Sequence, residues 1–299
     1  MTEPKKLGKY EIRGELGQGA MGIVYDGFDP MIGRRVALKT VRREQLDRAE
    51  VEEILARFKR EAQAAGRLNH PNIVAIYDFD EDEGTSFIAM EYVEGRDLKT
   101  AFEGHERFAN AEIVRIMSEI LDALGYSHRQ GVIHRDIKPS NLMLDRSGEV
   151  KITDFGIAHV KSSSTVSKGI VGSPSYMSPE QVKEEPVEDK SDIFSLGCVL
   201  YELLAGEKAF PGENYFSIMY KITNLDPVPI RTTRPEIPEV LWKICRKALA
   251  KDPAQRYQSC MDLAYDLRVA LRGLKGGPRA DKIENIIDYV HGVPFFENF

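Results

Sequence analysis

The chain has 299 residues, room for one large domain or two modest ones. Lys and Arg number 41 against 47 Asp and Glu, a net charge of −6, which argues against a nucleic-acid binder working through a basic face. Hydrophobic residues at 42% and charged residues at 29% fit a soluble globular chain, and no uncharged run approaches the ~18–20 apolar residues that span a bilayer. The opening residues 1–14 have no apolar core behind their lysines, unlike a signal peptide. Cys198, Cys245 and Cys260 are odd in number and lack C-x-x-C spacing, which argues against a disulfide scaffold or a cysteine zinc site. A cytoplasmic protein is expected.

Residues 10–43 read as strands with short turns: Ile12 and Leu16 first, then Gly22–Tyr25, then Arg35–Val41. The period changes over residues 47–68, which place Val51, Ile54, Leu55, Phe58, Ala62 and Ala65 on one helical face. Two strand-like runs follow, Asn72–Tyr77 and Ser86–Val93. After Gly95 helices dominate. Ile113, Ile116, Met117, Ile120, Leu121 and Leu124 form a stripe behind an expected Asn110 cap, with Gly131 past its end. Ser191–Leu204 is a second strong helix, closed by Gly206 and Pro211. A small sheet-rich half (1–93) thus precedes a larger helical half (94–271), joined near 91–96. Gly273–Pro278 reads as a linker opening a tail over 272–299.

Gly17-x-Gly19-x-x-Gly22 taken alone also fits a dinucleotide-binding turn, but that fold needs a helix after the glycines. Here Ile23–Phe28 looks like a strand, which puts the glycines in a hairpin whose bare backbone amides can fold over phosphates. Val36-Ala-Leu-Lys39 then places a lysine on a strand. His134-Arg-Asp136-Ile-Lys138-Pro-Ser-Asn141 packs acid, bases and an amide into eight residues, and Asp154-Phe-Gly156 follows. Ser178-Pro-Glu180 stands beyond them.

Together these strings resemble the eukaryotic-like protein kinases over about residues 10–271. The resemblance implies an α+β, two-lobed fold with an antiparallel sheet and one helix in the small lobe. Phosphoryl transfer asks a protein mainly for alignment and charge neutralisation. By resemblance, Lys39 contacts the α- and β-phosphates of ATP, Glu61 pairs with Lys39, Asp136 accepts the substrate hydroxyl proton, and Lys138 steadies the γ-phosphate. Asn141 and Asp154 would hold Mg²⁺, with Mn²⁺ as a substitute, through the oxygen atoms a hard cation takes. Gly17, Gly19 and Gly22 would cover the phosphates. Leu16, Val24, Ala37 and Met143 would wall the adenine, the backbone of Glu91 and Val93 would bond it, and Asp97 would reach the ribose. Asp192 resembles the aspartate that anchors the catalytic-loop backbone, and Glu180 with Arg256 resembles a buried ion pair.

Lys138 two residues past Asp136, and Gly172–Glu180, look like serine/threonine kinases, closest in style to the bacterial branch. Proteins bearing Ser or Thr are the expected substrates. Thr165 and Ser167, in the Ser-rich patch 161–168, are expected autophosphorylation sites, with a dimer for trans-phosphorylation. A pseudokinase scaffold is one alternative, which the intact set Lys39, Glu61, Asp136, Asn141 and Asp154 disfavours; a small-molecule kinase of similar fold is the second, which the intact Ser178-Pro-Glu180 segment disfavours. The tail is amphipathic through Ile283, Ile286, Ile287 and Val290 and then reads Val293–Phe299, similar to the opening of a cyclic-nucleotide-binding domain. Phe296 and Phe299 also fit an F-x-x-F tail that docks back on the small lobe, and a helix packed on either lobe with a frayed end is a third reading. Of the three, a regulatory module beyond Phe299 is the favoured expectation.

Overall fold

The structure is a computed structural model describing residues 6–18, 22–41, 48–155 and 174–275. Its first half is built around β4 (Arg34–Thr40), a strand buried on both faces. Successive side chains of a strand point to opposite faces. Val36 and Leu38 therefore pack with Tyr10, Tyr25, Phe87 and Ala89 on one side. Ala37 and Lys39 share the other side with Val41, which packs on Ile88 and on Phe58 and Ala62. Tyr10 and Phe87 meet edge to face with centroids 6.0 Å apart, a favoured geometry for aromatic pairs. Around β4 lie β1 (Lys6–Leu7), β2 (Tyr10–Gln18), β3 (Ile23–Asp29), β5 (Ile76–Asp82) and β6 (Thr85–Glu91). The sheet is antiparallel in the order β1-β2-β3-β4-β6-β5. Helix α1 (Arg48–Ala65) carries Phe58 and Ala62.

The strand expected from Asn72 begins only at Ile76. Residues 72–74 pair across to the second half instead: Val74 N donates to Ile152 O at 2.9 Å and Ile152 N to Asn72 O at 2.8 Å. Those backbone groups are committed to β9 (Val150–Ile152), which with β7 (Gly95–Asp97) and β8 (Leu142–Asp145) makes a small sheet in the order β7-β8-β9.

Helices then take over: α2 (Leu98–Glu103), α3 (Asn110–Arg129), α4 (Pro179–Val182), α5 (Asp189–Ala205), α6 (Tyr215–Asn224), α7 (Ile230–Thr233), α8 (Glu239–Ala248) and α9 (Cys260–Lys275). Every residue of α5 from Ser191 to Ala205 is buried, as expected of a helix apolar on all sides. It ends on Gly206 in the left-handed conformation, φ 77°, where glycine meets no Cβ penalty. Asn110 is not the cap of α3 but its first residue: Ala109 occupies the cap, makes no side-chain cap bond, and its carbonyl accepts from Glu112 and Ile113. Helix α9 runs on to Lys275, so its last turn takes in Gly273, which the sequence reading placed in a linker. The result is the two-lobed α+β architecture expected from the sequence.

Glu180 and Arg256 form a bidentate pair at 2.7 and 2.8 Å, with side chains 6% and 0% exposed. The remaining donors of Arg256 go to the carbonyls of Ala250, Lys190 and Lys251, and Ser191 Oγ donates to Glu180. Burial favours the neutral acid, yet the bonds from Arg256 and Ser191 outweigh it and hold the Glu180 carboxyl below the usual range. A depressed carboxyl stabilises the fold above its unfolded-state value near 4.5, and that stability is lost as pH falls through the folded value. Arg256→Met leaves an unpaired buried carboxylate and is expected to cost about 3–5 kcal/mol, measured by urea unfolding at pH 7. The deficit should narrow on acidification, when wild-type Glu180 also becomes protonated.

Candidate active site

The segment 134–141 owes its shape to one carboxylate. Asp192, in the first turn of α5 and 1% exposed, accepts the backbone N–H of His134 at 2.8 Å and of Arg135 at 2.7 Å. Arg135 sits at φ 68°, a left-handed conformation that costs a non-glycine residue energy unless its surroundings enforce it. Its carbonyl is held as well, by Gln181 Nε2 at 2.7 Å. The His134 ring is fixed at both nitrogens: Nε2 bonds Thr153 O at 2.9 Å, and Nδ1 accepts from Asp136 N at 3.2 Å. A carbonyl can only accept, so the proton lies on Nε2.

This clamped loop presents a dense polar cluster. Lys138 Nζ donates to Asp136 Oδ2 at 2.6 Å. Asn141 Nδ2 donates to the same oxygen at 3.1 Å and to Asp136 O at 2.8 Å. Among the described residues nothing bonds Asp136 Oδ1. Asn141 O accepts Thr153 N at 2.9 Å, and His134 packs on Phe155 with centroids 4.6 Å apart. The strand leading to Asp154 is thus tied to the same loop.

Lys39 reaches across from the small lobe and donates to Asp154 Oδ1 at 2.6 Å. Burial alone would favour the neutral acid at Asp154, but the charge and hydrogen bond of Lys39 prevail, helped by His134 and Lys138, and hold its carboxyl below the usual range. Asp154 has φ 61°, a second left-handed non-glycine residue at the site. Asn141 and Asp154 offer amide and carboxylate oxygens, the donor set a hard divalent cation takes.

The residues expected around a nucleotide are spread over both lobes. Gly17 pairs with Val24 across β2 and β3, and Val24 with Lys39 across β3 and β4. A Cβ on Gly22 would lie 1.8 Å from the Thr40 carbonyl oxygen, so this position admits only glycine without a backbone shift. Ala37 pairs with Met90, and Met143 on β8 with Asp97 on β7. Leu16 is exposed, and Val24, Val93 and Met143 are half-buried. Asp97 caps α2, accepting from Thr100 N at 2.7 Å through Oδ1. Glu91, besides its place at the join, has its side chain bonded to Lys151 at 2.6 Å and to Ala75 N at 3.2 Å. Only the backbone of Glu61, on α1, is described. Gly19, Thr165 and Ser167 lie outside the described residues.

Three residues at this site had no signal in the sequence: Gln181, Lys151 and His128, whose Nε2 bonds Asp192 Oδ2 at 2.8 Å. Each acts on a partner far away along the chain, and no local spacing reveals such a pairing.

A family model described as the protein kinase domain matches residues 10–266, and the chain belongs to that family. The serine/threonine-protein kinase PrkC of Bacillus subtilis is 40% identical over 265 residues, covering 88% of this chain and 40% of its own. Serine/threonine-protein kinases PknB of Mycolicibacterium smegmatis and of Mycobacterium leprae are each 39% identical, over 276 and 275 residues, covering 89% of this chain and 44% of theirs. The chain therefore spans about two fifths of the length of the curated relatives it matches. No helix among the described residues is long and apolar enough to cross a membrane.

Asp192→Ala strips the partner from two backbone N–H groups at once. At about 1–3 kcal/mol for each buried donor left unpaired, about 2–6 kcal/mol of unfolding free energy should be lost, measured in urea.

Proposed function

We propose that this chain is a catalytic serine/threonine protein kinase domain that moves the γ-phosphate of ATP onto Ser or Thr of proteins. The observation that carries the reading is the convergence of Asp136, Lys138 and Asn141 within hydrogen-bond distance on one loop, with Lys39 on Asp154 beside it. Asp136 takes the hydroxyl proton on Oδ1, which has no partner among the described residues. Lys138, bonded to the other oxygen, orients that carboxylate and lies ready to meet the γ-phosphate. Lys39 binds the α- and β-phosphates, oriented by Glu61. Asn141 and Asp154 hold Mg²⁺, or Mn²⁺ in its place, and the metal supplies charge neutralisation at the phosphates. Adenine binds between Leu16, Val24, Ala37 and Met143, bonded by the backbone of Glu91 and Val93. The ribose meets Asp97, whose cap bond to Thr100 leaves Oδ2 for it. Gly17, Gly19 and Gly22 close over the phosphates.

The same reading includes a cytoplasmic kinase domain, two copies phosphorylating each other at Thr165 and Ser167, and a regulatory module beyond Phe299. A phosphate at Thr165 or Ser167 would pair with Arg135, beside the base, through charge-assisted hydrogen bonds.

Phosphate transfer from ATP to the chain itself and to a generic basic protein, followed by mass spectrometry, tests the function. Asp136→Asn should lower the rate by about 10²–10⁴ with the fold intact, and Lys39→Met should reduce it to background. Chelating the divalent metal should stop transfer and added Mg²⁺ restore it. Near-full activity of Asp136→Asn would remove Asp136 as the base, whereas absence of transfer by the wild-type chain would refute the reading and favour a nucleotide-binding scaffold. For the activation segment, Thr165→Ala/Ser167→Ala should match phosphatase-treated wild type and fail to gain rate on incubation with ATP. Initial rates equal to those of autophosphorylated wild type would remove phosphate control.

A further inference from the structure

We propose that Cys260 and His128 are positioning residues for phosphoryl transfer, a thiol–imidazole–carboxylate chain that fixes Asp192 and, through it, the loop carrying Asp136. The proposal rests on the reading of Asp136 as the base. Its three members come from three helices: Cys260 opens α9, His128 lies in the last turn of α3, and Asp192 in the first turn of α5. His128 Nε2 is 2.8 Å from Asp192 Oδ2, and its Nδ1 is 3.7 Å from Cys260 Sγ. Cys260 and Asp192 are each 1% exposed.

The proton positions follow from the partners. An ionised carboxylate has no proton to donate, so the ring nitrogen facing it carries the hydrogen and Nε2–H is the donor. In the neutral ring Nδ1 is then an acceptor, and the group it meets is the Cys260 thiol. Burial pushes that thiol well above its usual value, with the nearby carboxylates of Asp192, Asp189 and Asp262 adding to the effect. It therefore stays S–H and can donate. The same burial and the absence of thiolate make Cys260 a poor target for oxidants, so its role is to donate a hydrogen bond rather than to react.

Asp192 Oδ2 is shared between His128 Nε2 and His134 N, while Oδ1 takes Arg135 N. The imidazole therefore sets the rotation of the carboxylate that holds Arg135 in its left-handed conformation, one residue before Asp136. Without the thiol, Nδ1 is a buried acceptor lacking a partner, and the ring loses the contact that fixes its second nitrogen. An unmet buried acceptor carries a desolvation cost that rearrangement relieves, here by turning the ring and loosening its grip on Asp192.

A double-mutant cycle on the full chain separates this role from mere packing. Cys260→Ala should lower kcat by about threefold to tenfold with the KM for ATP unchanged, the cost of one weak hydrogen bond to an ordering group. Cys260→Ser, which keeps a donor, should retain most of the wild-type kcat. His128→Ala should cost more, and adding Cys260→Ala to it should cost little further. An equal factor for Cys260→Ala in both backgrounds, a wild-type kcat for Cys260→Ala, or a serine variant as impaired as alanine would each overturn the proposal. Nitrogen NMR of the His128 ring in the wild-type chain gives a check that needs no variant: a proton on Nε2 alone supports the chain, and one on Nδ1 overturns it. Asp136→Asn, assayed alongside, keeps the two readings apart. Retained activity there removes Asp136 as base, whereas its loss together with an additive cycle removes only the positioning role.

Discussion

The site hangs on a single buried carboxylate. Asp192 stands in the first turn of a helix whose remaining length is buried on every side, so close packing fixes its backbone. A protein interior is packed as densely as an organic crystal, and a side chain rooted in it inherits that rigidity. From there Asp192 holds the N–H groups of His134 and Arg135, whose sequence neighbours carry the polar cluster. The loop has little apolar surface of its own and takes its order from α5.

A second clamp works from the opposite side. Gln181 takes the Arg135 carbonyl while serving in the capping box of α4 with Ser178. Its neighbour Glu180 is locked to Arg256. Tyr176, just before α4, donates to Glu202 of α5 at 2.5 Å. The Glu202 carboxyl is raised by burial even though this bond favours its charged form. The described end of the segment after Asp154 is thus anchored to the same central helix that positions the catalytic loop. The loop 134–141 and the segment 176–182 therefore share one reference frame, as preorganised chemistry requires.

Apolar packing of Ala65, Leu68 and Ile73 on the large-lobe core joins the two lobes, and polar contacts add to it. Residues 72–74 join β9 by backbone hydrogen bonds, Glu91 pairs with Lys151, and Lys39 pairs with Asp154. Lys39 can make its contact because β4 is two-faced: Val36 and Leu38 enter the small-lobe core, and the alternate positions look toward α1 and the cleft. A one-residue slip in register would bury the lysine and turn the apolar side chains outward.

Alternation around Lys39, the apolar stripe of α3 and the largely apolar sequence of α5 after Asp192 are local patterns, so composition and period alone sufficed to order the sheet-rich and helical halves. The strings His134–Asn141 and Asp154–Gly156 are equally local, and their residue types name a chemistry of proton, phosphate and hard cation. Asp192, Glu180 and Arg256 could be picked out only through the resemblance to the kinase family, since nothing in their spacing marks them. β5 starts later than expected because Ile73 and Val74 look like strand residues, while the backbone groups that flank Ile73, Asn72 O and Val74 N, are taken by Ile152 of β9. His128, Gln181, Lys151 and Cys260 escaped altogether. Each finds its partner only after α3, α4, α5, α9 and β9 have docked, and docking is decided by long-range packing that short-range pattern does not encode. What the sequence determined by itself was which polar groups stand together in short strings and on which elements they ride. The tertiary structure alone decided what holds those groups still, because a hydrogen bond between helices exists only once both have been brought to the same core.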